Sequence, residues 1–258
     1  MAFSLTKWYL DVVTEDGGVA IAYWGELRWG RLRPRFSGVF VDAGDGTPTP
    51  WRLSGQDVAP PVLEADGLTW CAAPLDVRIA CHRQEPGFTR RLLETPQGTI
   101  DWRCELPRAA VRIQVKDRVL EGIGYAERLD LTLLPWRIPA DEIRWGRFLA
   151  PGASVVWIEW RGESPQRVVF RDGRLVEATL VSEAMVTGSD GWTLALEECR
   201  VLSDDRLGGL LAPLELLRAV VKPMAAVQQT RWLSRGTLQT VATGPVHGWA
   251  IHELVRWR

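Results

Sequence analysis

Apolar and polar residues alternate along this chain in short runs broken by Gly and Asp turns. "KWYLDVV" (Lys7 to Val13) is followed by "TEDGG" and then by "VAIAYWGEL" (Val19 to Leu27). Asp16-Gly17 between two such runs is a strong hairpin signal. Further runs follow the same habit: "LTWCAAP", "DVRIACH", "FTRRLLET", "IDWRCEL", "AAVRIQV" and "VLEGIGYAERLDLTLL". The second half continues with "ASVVWIEWRG", "QRVVFRDG", "RLVEATLV", "WTLALEECRVL", "GTLQTVATG" and "WAIHELVRW". Period-two alternation at this density predicts an all-β chain, folded as antiparallel sandwiches or barrels.

One segment departs from that period. Between Leu207 and Gly236, the residues Leu211, Leu214, Leu217, Val221 and Ala225 recur at helical spacing, with Pro223 placed to end or kink the turn. The spacing predicts one short helix over 211–225. Its apolar stripe packs on a sheet, the alternatives being a plug in a barrel mouth or a peripheral membrane contact.

A six-residue pattern is written twice, as "ELRWGR" from Glu26 and "EIRWGR" from Glu142. The two copies lie 116 residues apart in a chain of 258, close to half its length. This predicts two similar β units, 1–122 and 123–258, the alternative being two unrelated hairpins that share a strand-friendly string.

Composition narrows the function classes. Charged residues make up 24% and the net charge is −1, which gives no basic footprint for nucleic acid. The unusual count is Trp, at 14 against 3 Tyr and 6 Phe. Strand packing explains a surplus of large rigid rings, and an apolar ligand cavity is the alternative. Cys71, Cys81, Cys104 and Cys199 form no CxxC pair, and with three histidines a zinc cluster is not expected. Four reduced, mostly buried thiols predict a reducing, cytoplasmic setting. The first residues lack a basic region followed by an apolar run, and no run of 18 apolar residues occurs. No GxSxG elbow, P-loop or HExxH motif is present.

Candidate chemistry gathers at "GIGYAERLDL", Gly122 to Leu131. A strand here points Tyr125, Glu127 and Leu129 to one face, and the two glycines permit a close approach. Glu127 is the candidate proton donor, since an apolar wall raises a carboxyl pKa, and pairing with an arginine is the alternative. In "KWYLDVV", Tyr9 and Asp11 share a face. His252, in "HGWAIHELVRW", is the histidine best placed to titrate near neutrality, or else a structural one.

These residues resemble a known family. "KWYLDVVTEDGGVAIAYWG" is similar to the opening strand and hairpin of the lipocalin-like carotenoid 1,2-hydratase (hydroxyneurosporene synthase) family. "GIGYAERL" resembles the Gly-Tyr motif that opens its second domain, and "TRWLSRG" and "GWAIHELVRW" also fit. The resemblance implies two tandem lipocalin-like β domains around a long apolar cavity, as in tocopherol cyclase and the lipocalin-like Diels–Alderases. It implies an apolar polyene, isoprenoid or polyketide substrate and no cofactor. The family's two motif histidines are Ala126 and Arg128 here, which leaves Tyr125 and Glu127 as the catalytic pair. Trp8, Asp11, Trp24, Trp145, Trp157 and His252 are then the expected ligand-binding residues. The enzyme reading is acid-assisted hydration, cyclisation or isomerisation, with cycloaddition as a variant, in a cavity between the domains. The alternatives are a non-catalytic carrier of a pigment or lipid and a plain interaction module. Oligomeric state is not legible.

Overall fold

The computed structural model describes residues 3–44, 49–206, 224–241 and 244–257. The chain is all-β, with two antiparallel sheets that form a half-barrel and a nearly closed barrel. The expected helix over 211–225 falls almost entirely outside the described residues. Among the described residues no helix is long and apolar enough to cross a membrane.

The first sheet contains β1 (Phe3–Val13), β2 (Val19–Trp29), β3 (Arg35–Asp42), β4 (Arg52–Ser54), β5 (Val62–Leu63), β6 (Gly67–Ala72), β7 (Val77–Arg83), β8 (Phe88–Thr95), β9 (Gly98–Val115) and β10 (Arg118–Leu131). Its order is β4-β3-β2-β1-β10-β9-β7-β6-β5, with β8 paired to β9 off that path. The predicted β1–β2 hairpin turns at Thr14–Gly18, where Gly17 takes a φ of 88° that favours glycine. The second sheet contains β11 (Glu142–Ala150), β12 (Ala153–Arg161), β13 (Gln166–Arg171), β14 (Arg174–Val176), β15 (Ala178–Val181), β16 (Met185–Gly188), β17 (Thr193–Arg206), β18 (Gln228–Gln239) and β19 (Val246–Arg256). Its order is β14-β13-β12-β11-β19-β18-β17-β16-β15.

The two orders match strand for strand, with β8 as the one addition, so the internal repeat is real. It is not the repeat marked by the doubled string. By position in the sheets β11 corresponds to β1, whereas the first copy of the string closes β2. Trp29 and Leu32 bond each other's backbone across a tight turn, with Gly30 at a φ of 60°. Gly146 instead lies mid-strand in β11 opposite Trp157, where a Cβ would overlap the indole ring. What the copies share is a local ion pair. Arg28 Nε donates to Glu26 and Arg144 Nε donates to Glu142, each two residues along a strand and therefore on one face.

The boundary also differs from the expected one. β10 runs through residues 122 and 123 as an inner strand of the first sheet, so the first unit extends to Ile138 and the second begins at Pro139. A strand paired on both sides cannot be divided without breaking two ladders.

Each unit has its own core. In the first, Trp8, Leu10, Val12, Trp24, Trp70 and Val111 meet on one face of the sheet. A segment beside this core closes onto it, because Trp24 Nε1 donates to the Val58 carbonyl and Trp70 Nε1 to the Ala59 carbonyl, at 2.8 and 2.9 Å. In the second, Phe148, Trp157, Trp192 and Leu194 pack together. The barrel there is drawn nearly shut by Arg167 on β13, whose Nη1 donates to the Ala178 and Thr179 carbonyls of β15.

Candidate functional site

β1 and β10 pair in an unbroken register. Tyr9 faces Glu127, Asp11 faces Tyr125 and Lys7 faces Leu129. Directly opposed residues in a sheet share a face, so these six side chains point the same way. On the neighbouring strands the same face carries Tyr23, opposite Tyr9, and Cys104, opposite Glu127. The Trp8–Trp24 core occupies the opposite face.

Glu127 is held from one side by two donors. Tyr125 donates its hydroxyl to Glu127 Oε2 at 2.7 Å, and Trp102 donates its indole N–H to the same oxygen at 2.6 Å. Both anchors are completely buried, while Glu127 is only half-buried. Two hydrogen bonds of this length hold the carboxyl group in place. Oε2 accepts both of them.

The anchors are chemically stable as donors. Burial pushes the Tyr125 phenol well above its ordinary pKa, and the neighbouring Cys104 and Glu127 push the same way. Burial likewise pushes the Cys104 thiol well up. Tyr125 therefore keeps its proton throughout the physiological range. Aromatic rings continue the wall. Tyr9 meets Tyr125 edge-on at 6.1 Å and Tyr23 at 5.3 Å, Tyr23 lies 5.4 Å from Trp51, and Phe88 packs edge-on against Trp102 at 5.2 Å. Such rings offer faces to an apolar molecule or to developing positive charge.

The structure distributes the other expected site residues widely. Asp11 is completely buried on the Glu127 face. Trp8 and Trp24 belong to the core on the other face of the same sheet. Trp157 and His252 lie in the second unit on one face of its sheet, and Trp145 lies on the opposite face of that sheet, beside Glu253. His252 stacks on Trp232 at 5.2 Å, and its Nε2 bonds the Ser234 hydroxyl at 2.8 Å. Burial, with Arg144 nearby, pushes the His252 pKa down to about 4, so it is neutral at pH 7 and not the near-neutral titrating group expected.

Trp102 and Cys104 were not legible as site residues. Both sit in "IDWRCEL", and β9 is bulged against β10 between Gly124 and Glu127. The bulge puts Cys104 on the Glu127 face and Leu106 in the core of the other face, which simple alternation does not anticipate. The thiols also differ from expectation. All four are free, with Cys81 and Cys104 buried but Cys71 and Cys199 exposed. Among the described residues no group of three or more His, Cys, Asp or Glu side chains could hold a metal ion.

No family model and no curated protein matches the sequence. Solved structures match it over nearly its full length. Kievitone hydratase from Nectria haematococca superposes with a TM-score of 0.59 at 10% identity, covering 98% of this chain and 89% of that one. CghA with Sch210972 gives 0.58 at 12% identity, covering 98% and 88%. An AttH-type protein from Nitrosomonas europaea gives 0.57 at 12%, covering 98% and 92%. At these identities the likeness is one of fold. The chain shares the tandem lipocalin-like architecture of this group. The narrower likeness to carotenoid hydratases rests on the sequence motifs alone.

Proposed function

We propose that the protein binds an apolar polyene, isoprenoid or polyketide and transforms it by proton transfer at Glu127, in a hydration, cyclisation or isomerisation. The observation that carries this reading is the half-buried Glu127 carboxyl group, fixed through one oxygen by the fully buried Tyr125 and Trp102. In the proposed step Glu127 gives its proton to an alkene carbon. The cation that forms lies against the Tyr9, Tyr23 and Trp51 rings, each such contact contributing about 0.5–2 kcal/mol. Water or a nucleophile within the substrate then adds to the cation, and the proton it releases returns to the carboxylate. A positioned acid of this kind contributes about 10²–10⁴ in rate.

Two lines support the reading from outside the site. One is the fold shared with a named hydratase and with CghA, whose crystal structure contains Sch210972. The other is the motif likeness to carotenoid hydratases. The alternative is a carrier that binds the same class of molecule without chemistry.

The test is native mass spectrometry of the protein purified from its own host, with solvent extraction of whatever is bound. A co-purifying polyene, prenyl compound or polyketide is the expected result. An empty protein that a panel of such compounds does not stabilise against heat contradicts the proposal.

A further inference from the structure

Away from the Glu127 face, the first unit gathers apolar and basic side chains at the turn that joins β2 to β3. Residues 27–41 contain four arginines and no acid, and residues 132–140 contain Arg137 and no acid. The structure brings these segments together. Trp29 closes β2, Trp136 sits in the short 3-10 turn Pro135–Arg137, and their ring centres lie 6.1 Å apart. Trp29 opposes Phe3 across the β1–β2 pair and Leu32 across the turn. Directly opposed residues share a face, so Phe3, Trp29 and Leu32 make one apolar strip. The strip is buried at Phe3, half-buried at Trp29 and 46% exposed at Leu32.

Charge surrounds its exposed end. Elsewhere arginines close ion pairs, as Arg28 and Arg35 do on Glu26 and Arg161 and Arg167 on Glu159. Arg31, Arg33 and Arg137 are exposed, and among the described residues no carboxylate pairs with them. An exposed leucine or an exposed arginine is ordinary by itself. Here an apolar strip ends in water between three uncompensated guanidinium groups. A nucleic acid would take the charge and leave Leu32 in water, whereas an anionic bilayer takes both. Tryptophan rings settle at the headgroup level, and a guanidinium fork matches a phosphate.

We infer that the β2–β3 tip docks the protein on an anionic phospholipid surface. Leu32 enters below the headgroups, Trp29 and Trp136 lie among them, and Arg31, Arg33 and Arg137 meet the phosphates. Attraction of this kind adds to the burial of apolar area, and a patch of this size binds reversibly. The inference does not rest on the proposed function. The two agree, because apolar molecules of the proposed class accumulate in bilayers, but failure of either leaves the other standing.

The test is sedimentation of the full chain with two kinds of vesicle, pure phosphatidylcholine and phosphatidylcholine with about one third phosphatidylglycerol. The protein is expected to sediment with the anionic vesicles only, and to be released at about 1 M salt, where screening is nearly complete. The triple variant Arg31→Gln, Arg33→Gln, Arg137→Gln is expected to partition about 100-fold less. A control with the same loss of charge at exposed positions outside the tip, Arg78→Gln, Arg118→Gln, Arg174→Gln, is expected to lose far less. Leu32→Gln, which keeps the charge, is expected to partition about three-fold less or lower still. Thermal melts report that each variant has folded. Failure to bind anionic vesicles, equal losses in the two triple variants, or unchanged partitioning of Leu32→Gln overturns the inference. Binding of single-stranded DNA through the same arginines, without binding to vesicles, overturns it in favour of nucleic acid.

Discussion

Tyr125 and Glu127 lie two residues apart on β10, and the Tyr125 hydroxyl donates to Glu127 Oε2 at 2.7 Å. A strand puts residues i and i+2 on one face, so the strand itself aims the acid and its anchor at the same place. Trp102 completes the arrangement from β9. If this clamp sets the position of the acid, Tyr125→Phe should lower turnover by roughly ten-fold or more, with KM changing less than kcat. Loss of one neutral donor to a charged group costs about 1.5–3 kcal/mol where the pair is buried, and less at a half-exposed carboxyl. Steady-state kinetics beside a thermal melt separate the two effects.

Trp102→Phe makes a sharper comparison. It keeps most of the ring that packs against Phe88 and removes the N–H that holds Glu127. We expect a further loss of turnover and a shift to higher pH of the alkaline limb of the pH–rate profile, because the remaining Glu127 has one fewer donor stabilising its charged form and the proton donor must be protonated to act. A purely structural role for Trp102 would lower thermal stability and leave that limb unmoved.

Strand periodicity in the sequence carried the fold class, the first hairpin at Asp16-Gly17 and the shared face of Tyr125 and Glu127. It did not carry the register of the repeat. "ELRWGR" and "EIRWGR" build the same Glu–Arg pair, yet one closes β2 at a turn and the other opens β11, because a local ion pair does not depend on which strand holds it. The role of Trp102 was hidden for another reason. It depends on a bulged pairing between β9 and β10, and long-range register leaves no mark on local alternation. For His252 the histidine count suggested a titrating group, whereas its burial, a tertiary property, makes it neutral.

The second unit offers a test of packing independent of the site. Gly146 lies directly beneath the Trp157 indole, and a methyl group there must displace the ring or the strand. Gly146→Ala should destabilise the protein by about 1–3 kcal/mol, as overpacked cores do. At Gly244 nothing lies within 4 Å of an added Cβ, so Gly244→Ala should change stability by less than about 0.5 kcal/mol. Urea midpoints at constant slope would read both.

His252 sets a pH dependence of stability. Its pKa is about 4 in the folded protein against 6.5 for the ordinary group, because burial disfavours the charged ring. Between those values the unfolded chain binds more protons than the folded one, so stability falls as pH is lowered from 6.5 towards 4. The slope for one such group approaches 1.4 kcal/mol per pH unit in the middle of that window and vanishes above it. Melting curves from pH 7.5 to 4.5 should show the decline, and His252→Gln should flatten it. An unchanged slope in that variant would assign the decline to other groups.

Thiol accessibility follows from the same burial. Cys71 and Cys199 are exposed, while Cys81 and Cys104 are buried and burial raises both thiols, Cys81 to about 12. A maleimide added to the native protein should therefore label two cysteines within minutes. The other two should react only after denaturation, with peptide mapping assigning each site.

The most direct measurement of the central claim is turnover of the extracted ligand by the wild-type protein and by Glu127→Gln, followed by chromatography and mass spectrometry of the products. Glutamine keeps the size and the acceptor oxygen that Tyr125 and Trp102 hold, and removes only the transferable proton. Product formation by the wild-type protein and a loss of about 10²–10⁴ in the variant, with binding retained, is the predicted result. Equal turnover by both proteins, or no product from the wild-type protein, would contradict proton transfer at Glu127.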